Sequence, residues 1–346
     1  MKRSFMFICA AALLLTGCGA SADEASAQLF AMDTVMQLDA YGHQVKQAVS
    51  DAEETIQALE ARLSRTREDS LVSVLNQNGA AQDLSAAEQA LLSEALTFRD
   101  ATGGAFDITI APVMDAWGFT GDSYRVPAQD ELDALLENVN SDEIRLSGSS
   151  VTLGAGQAID LGGIAKGYTS DCVEAVFREN KIESGKISLG GNVFVLGGKP
   201  DGADWRVGIR DPQDENALAA VLTLRDAYAI TSGGYERYFT ENGNTYHHII
   251  DPSTGYPADS GLLSVTVVAE ANGPDFSGPG NGTMCDAFST ALFVMGEERA
   301  LEFWRTGGYD FDLVLVTADG RVIITDGLSD RFEVVKDSGY TYETVS

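Results

Sequence analysis

A succession of short apolar segments in the second half of the chain constrains the fold more than any other feature. Most of them are joined by short turns, which link antiparallel strands. Helical segments precede and follow them, so we predict an α+β fold. In it, helices pack on a mixed, largely antiparallel sheet within a single, two-lobed domain over residues 29–336. The predicted strands are 186–196, 205–209, 219–224, 227–231, 245–250, 262–268, 313–317 and 322–325.

Apolar residues elsewhere recur every three or four positions, which is the spacing of one helix face. An alternating segment at 30–41 predicts a strand on which the first helix packs. Ser85 and Glu88 form a capping-box pattern at the start of the second helix. The predicted helices are 45–63, 85–100, 127–140, 164–180 and 284–307, the last split at 296.

The N-terminus has the pattern of a lipoprotein signal peptide. Lys2 and Arg3 precede an apolar run that ends at Leu-Thr-Gly-Cys18. We predict a signal peptide over 1–17, lipidation with palmitate at Cys18 and a tether over 18–28. An ordinary signal peptide with an incidental cysteine is the alternative. The prediction places the protein outside the cytoplasm, held to a bacterial membrane by its lipid anchor alone. At the other end, residues 337–346 are predicted to be a C-terminal tail.

The charge of the chain excludes one class of partner. The sequence has 52 acidic and 23 basic side chains, a net charge of −29. Removal of 1–17 takes away two basic residues, so the mature charge is 21 − 52 = −31. A nucleic-acid-binding protein would need a basic face, so we expect no nucleic-acid partner. A tethered domain also fits better than one that lies on anionic lipid.

Two cysteines remain in the mature domain, Cys172 and Cys285. A disulfide between them is compatible with an exported protein. We predict instead two free thiols. Their spacing offers no zinc-binding pair.

Asp286 and Thr290 are four residues apart in a predicted helix, so they lie on one face. A carboxylate and a hydroxyl in this arrangement suit Mg²⁺, which takes few protein ligands. The alternative is an acidic residue that only stabilises the start of a helix.

A glycine-rich turn precedes the helix at 164–180, in the segment Asp160-Leu-Gly-Gly163-Ile-Ala-Lys166. Backbone N–H groups at such a turn bind anions, and a lysine adds a positive charge. This segment predicts a phosphate site or, equally, a tight turn.

Two further segments carry chemical groups. His247 and His248 are adjacent, so on a strand they point to opposite faces and one of them can face a site. That histidine is a candidate general base, or a structural residue. The segment 102–109, with Trp117 and Phe119, is suited to wall a flat ring or to form core.

These segments occur in the order found in one family. The motifs are AMDT from Ala31, LS from Leu63, GGAFDIT from Gly103 with WGF from Trp117, DLGGIAKGY from Asp160, GGN from Gly190, TSGGY from Thr231, HHIIDPSTG from His247 and CDAFSTALFVMG from Cys285. Together they resemble the ApbE-type FAD:protein FMN transferases over about residues 30–335, which implies an ApbE-like fold. Members of that family are commonly exported or lipidated.

The resemblance implies a reaction and a set of site residues. FMN is transferred from FAD, with Mg²⁺, to a Thr or Ser hydroxyl of an acceptor protein through a phosphoester bond, and AMP is released. The acceptor is expected to be a membrane redox subunit or an exported flavoprotein. FAD contacts are implied at Met32, Ala105, Phe106, Asp107, Asp160, Lys166 and Ile250. Mg²⁺ ligands are implied at Asp286, Thr290 and the Gly163 carbonyl, with Ser289 beside them.

Within this reaction, Lys166 and Asp286 are expected to act at the pyrophosphate. His248 is our candidate for the group that takes the proton of the acceptor hydroxyl. Two alternatives use the same site: hydrolysis of FAD to FMN and AMP, and flavin binding without turnover.

The chain departs from the family pattern at three places. Asp33 stands where a glycine is usual, and Thr66 occupies a flavin-contacting position where a tyrosine is common. Loss of the aromatic ring at Thr66 leaves FAD hydrolysis open. The loop 272–282 is longer than is typical and precedes the metal helix; it is either a lid, an acceptor-docking element or, as we predict, a tolerated insertion.

Overall fold

The computed structural model describes residues 23–121, 123–273 and 276–346. The predicted signal peptide and Cys18 lie outside these residues. Within them, no helix has the length and apolar character needed to cross a membrane. The helices are α1 (Val45–Leu63), α2 (Leu71–Asn78), α3 (Ala86–Ala101), α4 (Ala111–Trp117), α5 (Gln129–Leu136), α6 (Ala165–Glu179) and α7 (Asn281–Thr306).

Strands occupy most of the second half of the chain, as the apolar segments predict. They are β1 (Asp23–Ala31), β2 (Thr34–Gly42), β3 (Ala80–Ala81), β4 (Arg145–Ser147), β5 (Ser150–Thr152), β6 (Ile182–Leu189), β7 (Asn192–Leu196), β8 (Trp205–Asp211), β9 (Asp214–Leu224), β10 (Ala227–Gly233), β11 (Tyr238–Glu241), β12 (Asn244–His247), β13 (Leu262–Glu270), β14 (Asp312–Thr317), β15 (Arg321–Thr325), β16 (Phe332–Val334) and β17 (Thr341–Val345).

One large sheet organises the domain. Its strand order is β1-β2-β6-β7-β10-β13-β14-β15-β17. The β15–β17 pair is parallel, and the other neighbours are antiparallel. Smaller sheets are formed by β16-β9-β8, β3-β5-β4 and β11-β12. The predicted α+β class with a mixed, largely antiparallel sheet is confirmed.

Both faces of the central strands are covered. Along β7, Phe194 belongs to the core that packs on the helices, whereas the next residue, Val195, belongs to a second core under the β8–β9 sheet. Successive side chains of a strand point to opposite faces, so these strands are apolar at adjacent positions. A third, smaller core surrounds Trp117 and Leu132.

Several local predictions are confirmed. The apolar stripe predicts α1 to the residue, and both hydrogen bonds of the Ser85–Glu88 capping box are present. Helix α7 is kinked at Gly296, whose φ of 78° lies in the left-handed region. Cys172 and Cys285 are free thiols, and burial raises the pKa of the Cys172 thiol to about 12.

Several segment boundaries differ from the prediction. The predicted strand 186–196 is the hairpin of β6 and β7, which turns at 190–191, so it is two strands. The predicted helix 127–140 is limited to α5, and the predicted strand 245–250 ends with β12 at His247.

The alternating segment at 30–41 is not one strand, because Met32 and Asp33 adopt left-handed φ values of 49° and 58° and turn the chain between β1 and β2. Strand β1 begins at Asp23, inside the predicted tether. Its exposed residues within 23–28 are polar, as is usual on an edge strand, and this part of β1 therefore has the composition of a linker. Strand β17 lies in the predicted tail and pairs with β15.

Candidate functional site

A cavity of about 690 Å³ opens between the β1–β2 turn, the glycine-rich turn before α6 and the end of β10. It brings together residues that are far apart in the sequence. Of the residues predicted for the site, only Ser289 does not line it. The predicted residues at its surface are Met32, Thr66, Ala105, Phe106, Asp107, Asp160, Gly163, Lys166, His248, Ile250, Asp286 and Thr290.

Asp286 lies in the second turn of α7 and is 3% exposed. Its Oδ2 accepts a hydrogen bond of 2.7 Å from the backbone N–H of Gly167 in α6. A side chain at Gly167 would prevent this contact, since its Cβ would lie 2.2 Å from the Gly282 carbonyl oxygen and 2.6 Å from the Asp286 Cβ. The glycine therefore allows α6 and α7 to meet at the predicted metal ligand.

Gly163 and Thr290 face each other across the end of the cavity. A Cβ placed on Gly163 would lie 3.5 Å from Thr290 Oγ1 and 3.3 Å from the Phe106 ring. In a continuous helix the Gly167 N–H would bond to the Gly163 carbonyl, but it bonds to Asp286 instead. Among the hydrogen bonds of the described residues, the Gly163 carbonyl oxygen accepts none. It is left available for another ligand.

Ser232, near the end of β10, is a site residue that the sequence analysis did not single out. Its Oγ lies 2.8 Å from Ser289 Oγ and 3.1 Å from Thr290 Oγ1. Ser289 donates to the Asp286 carbonyl oxygen at 2.9 Å. Ser289 thus bonds the backbone of Asp286 directly and is linked to Thr290 only through Ser232. The TSGG motif that contains Ser232 was the available signal.

The donor set fits Mg²⁺. It comprises one carboxylate oxygen, one hydroxyl and one carbonyl from Asp286, Thr290 and Gly163. Mg²⁺ prefers hard oxygen ligands and keeps positions for water or phosphate. The described part of the chain holds no group of three His, Cys, Asp or Glu side chains that could form a more acidic metal site.

Four basic side chains, those of Arg65, Lys166, Arg210 and Arg237, line the same cavity beside six carboxylates. Among the described residues, no carboxylate lies within 4 Å of the Lys166 ammonium. Arg237 is partly used, since it donates to the Phe119 carbonyl at 2.9 Å and lies 3.7 Å from Asp33. The Lys166 charge is free to meet an anion within an acidic protein. We call Gly163, Lys166, Asp286 and Thr290 the α6–α7 wall.

Asp160 is held by an arginine that sequence reasoning missed. Arg65 donates to Asp160 Oδ2 at 2.9 Å and to both carboxylate oxygens of Asp115 at 2.9 and 2.8 Å. The other Asp160 oxygen accepts the Gly162 N–H at 2.7 Å. Arg65 therefore fixes Asp160 at the glycine-rich turn. Its position directly before Thr66 was the only hint.

The segment Ala105-Phe106-Asp107 lines the cavity, but the Asp107 carboxylate is already engaged. Its Oδ1 accepts hydrogen bonds from Thr109 and from Ser141. The carboxylate caps a turn of 3₁₀ helix at 108–110. The implied FAD contact of Asp107 is thus left to its backbone, whereas Phe106 presents its ring beside Gly163.

Met32 and Thr66 line the cavity on the side of α1, and with Asp33 we call them the hairpin wall. The Met32 N–H donates to Glu60 Oε1 at 3.0 Å, which fixes the turn. Thr66 is exposed, with its hydroxyl 3.0 Å from Ser64 Oγ. The side chain of Asp33 is 71% exposed. The side chains of this wall are more exposed and make fewer contacts than those of α6 and α7.

The two adjacent histidines separate as predicted for neighbouring positions. His247 packs edge-on against the ring of Phe293 in the core, and His248 lines the cavity beside Ile250. His248 Nδ1 lies 3.2 Å from the Arg237 carbonyl, to which it donates, so Nε2 is the acceptor nitrogen. Burial, together with the charges of Arg237 and Lys166, lowers the pKa of His248 to about 3.

The loop 272–282 does not reach the cavity with any described residue. Asn272 and Gly280 are bonded instead to Asp171 of α6. The two ends of the loop are therefore tied to α6, and the role of the loop stays a prediction.

The family model described as the ApbE family matches residues 32–312. The chain belongs to the ApbE family. This confirms the family that the ordered motifs predict. The FAD:protein FMN transferase of Treponema pallidum is 33% identical over 312 residues, which are 84% of this chain and 83% of that protein. The FAD:protein FMN transferase of Klebsiella pneumoniae is 35% identical over 242 residues, 68% and 70% of the two chains.

Solved ApbE structures share the fold. The ApbE protein of Thermotoga maritima superposes with a TM-score of 0.78 at 29% identity, over 91% of this chain and 97% of that one. The flavin transferase ApbE from Vibrio cholerae gives a TM-score of 0.74 at 24% identity, over 92% and 98%.

Proposed function

We propose that this protein is an FAD:protein FMN transferase that uses Mg²⁺. It moves FMN from FAD to a Thr or Ser hydroxyl of an acceptor protein and releases AMP. The family and its named relatives support the flavin transfer. The observation that carries the proposal is the α6–α7 wall. It holds three oxygen ligands and a lysine in the cavity that Phe106 borders, and none of the carboxylates that the structure describes lies within 4 Å of that lysine.

Each residue of this wall has a separate role in the proposed reaction. Asp286 Oδ1, Thr290 Oγ1 and the Gly163 carbonyl would hold Mg²⁺, which when bound would neutralise the charge of the pyrophosphate. Lys166 binds a phosphate oxygen as a point charge. The backbone N–H of Gly167 keeps Asp286 Oδ2 in place, so one oxygen of that carboxylate remains for the metal.

The chemical step exchanges the phosphoanhydride bond of FAD for a phosphoester bond to the acceptor. The acceptor oxygen bonds to the phosphorus on the FMN side, and the bond from that phosphorus to the bridging oxygen breaks. AMP leaves with the bonding electrons. His248 Nε2 accepts the hydroxyl proton as the oxygen attacks, because the Nδ1–H donates to the Arg237 carbonyl and fixes the tautomer. With a pKa of about 3 the imidazole is a weak base, so it passes the proton on to solvent and does not keep it.

Hydrolysis of FAD is the second candidate, with water in place of the acceptor hydroxyl. The exposed Thr66 favours it, since a ring that would stack on a flavin is missing there. A flavin-binding protein without turnover would have no use for the ligands of the α6–α7 wall.

One assay separates these functions. The protein is incubated with FAD, Mg²⁺ and a candidate membrane redox subunit, and the products are separated by denaturing gel and by chromatography. Transfer predicts flavin fluorescence that stays on the acceptor after denaturation. Free FMN without labelled acceptor would indicate hydrolysis, and unchanged FAD would contradict both activities.

We further propose that Cys18 carries the lipid anchor, and that the domain acts outside the cytoplasm on exported acceptors. The signal-peptide pattern supports this. Cys18→Ala should move the protein from the membrane fraction to the soluble fraction and abolish labelling by a palmitate analogue. A variant that stays in the membrane fraction and is still labelled would contradict the lipid anchor at Cys18.

A further inference from the structure

The N-terminus of α7 is capped by a buried carboxylate from another helix. Asp171 of α6 is fully buried, and its Oδ2 accepts the backbone N–H groups of Gly280 and Thr283, each at 2.8 Å. Its Oδ1 accepts the Gly282 N–H, also at 2.8 Å. The Thr283 hydroxyl donates to the same carboxylate at 2.5 Å. The first N–H groups of a helix have no partner inside it, and here one side chain satisfies most of them.

Asn272 completes this cap. Its Oδ1 accepts the remaining N–H of the turn, that of Asn281, at 2.9 Å, and its Nδ2 donates to Asp171 Oδ1 at 2.8 Å. Among the described residues, no basic side chain lies within 4 Å of the Asp171 carboxylate. The positive end of the α7 dipole and these donors are what offset its charge.

The reverse contact lies one turn away. Asp286 of α7 accepts the Gly167 N–H, which belongs to the first turn of α6. Each helix therefore supplies a carboxylate that caps the other. Gly167 and Gly282 make this exchange sterically feasible, because a Cβ on either would lie 2.7 Å or less from a backbone oxygen of the other helix.

We infer that Asp171 is a positioning residue for the metal site, an inference that rests on the proposed role of Asp286. A sliding or rotation of α7 would break the Asp171 bonds and the Asp286–Gly167 bond together. The reciprocal caps thus fix where Asp286 and Thr290 stand relative to Gly163. Outer partners that orient metal ligands in this way strongly affect metal affinity.

The experiment measures Mg²⁺ binding directly, by isothermal titration of the protein with and without FAD. Asp171→Asn should weaken Mg²⁺ binding by about 10- to 100-fold. FAD affinity without Mg²⁺ should stay within about twofold, since Phe106 and Arg65 are held by other contacts. A variant that merely loosens the fold would weaken both ligands.

Glu174→Gln is the matched control. Glu174 is a buried carboxylate of the same helix and the same network, but it binds Tyr228, Arg178 and Asn272 and accepts no N–H from α7 itself. Mg²⁺ affinity should remain near that of the wild type, even if thermal stability falls. If Asp171→Asn does not fold, Thr283→Val removes one hydroxyl donor and should weaken Mg²⁺ binding by about threefold.

The outcomes are distinct. Wild-type protein that binds no Mg²⁺ contradicts the proposed metal site itself. Wild-type binding with equal Mg²⁺ affinity in Asp171→Asn, or in Thr283→Val where that variant is used, overturns the positioning role alone. Equal losses of Mg²⁺ affinity in Asp171→Asn and Glu174→Gln also overturn it, because the effect would then be a general one of the buried network.

Discussion

The α6–α7 wall and the hairpin wall line the same cavity but are built differently. Asp286 is almost fully buried and is bonded to the backbone of the neighbouring helix. Thr66 and Asp33 are exposed, and Asp33 sits in a turn with a left-handed φ of 58°. The first wall is fixed by many mutual contacts, the second by few.

This difference follows the chemistry proposed for each wall. Charge stabilisation at a phosphate demands groups that are held in place before the substrate arrives. Contact with a flat ring tolerates variation, because stacking depends on area more than on exact angles. The two departures at the cavity, Asp33 and Thr66, both fall on the hairpin wall. The comparison predicts large effects of substitutions in the first wall and small ones in the second.

The largest effect is expected for Asp286→Asn. The amide oxygen can still accept the Gly167 N–H, so the fold should be retained, but the charge toward the metal is lost. Mg²⁺-dependent turnover of FAD should fall about a thousandfold, as metal-ion stabilisation contributes several kcal/mol. Steady-state kinetics at varied Mg²⁺ measure it, with Ser277→Ala as a surface control. Undiminished activity would remove Asp286 from the metal site.

Gly167→Ala tests whether the close helix contact is required. The added Cβ would meet the Gly282 carbonyl at 2.2 Å, a backbone atom that cannot rotate away. We expect the free energy of unfolding to fall by about 3 kcal/mol. Urea unfolding measures this, and Gly121→Ala is the control because a Cβ there meets nothing within 4 Å. Equal stability of the two variants would show that α6 and α7 can move apart to accept a side chain at position 167.

Substitution of His248 should change the free energy of unfolding by an intermediate amount that depends on pH. Its folded-state pKa of about 3 lies below the ordinary value of 6.5, so the unfolded chain binds a proton first as pH falls. Wild-type stability relative to His248→Gln should therefore decrease below pH 6.5, by about 1 kcal/mol at pH 5.5. Urea unfolding from pH 5 to 8 checks the sign. A difference that is independent of pH would refute the lowered pKa.

The smallest effect is expected for Thr66→Tyr, which places a ring on the hairpin wall. Stacking on the flavin should strengthen FAD binding by about three- to tenfold. Fluorescence titration with FAD measures it, and Thr66→Ser controls for loss of the threonine. An unchanged or weaker affinity would mean that Thr66 does not face the flavin.

Local sequence patterns were enough to predict many of the helices and strands. The helical stripe of α1 and the Ser85–Glu88 cap are encoded within a few residues and were predicted correctly. The β1–β2 turn was not predicted, since Met32 is an unusual residue for a left-handed φ and Asp33, which tolerates one, lies inside an alternating pattern. Strand β17 depends on pairing with β15, a contact that no local pattern reveals.

In the site, too, the features encoded locally could be predicted and those that depend on tertiary contacts could not. Asp286 and Thr290 share a helix face, so their proximity could be predicted from spacing. Ser232 and Arg65 reach the site through tertiary contacts with α7 and Asp160, and their sequence surroundings gave only weak signals. The Asp107 carboxylate caps the turn at 108–110, and the sequence alone could not separate this capping role from a ligand role because both use the same residue type.

The most direct test of flavin transfer is a stoichiometry. The wild-type protein is incubated with FAD, Mg²⁺ and the acceptor, AMP is quantified by chromatography, and the acceptor is weighed by intact-mass spectrometry. We predict one AMP released for each acceptor that gains the mass of FMN less one water. AMP accompanied by free FMN, with the acceptor mass unchanged, would contradict the transfer.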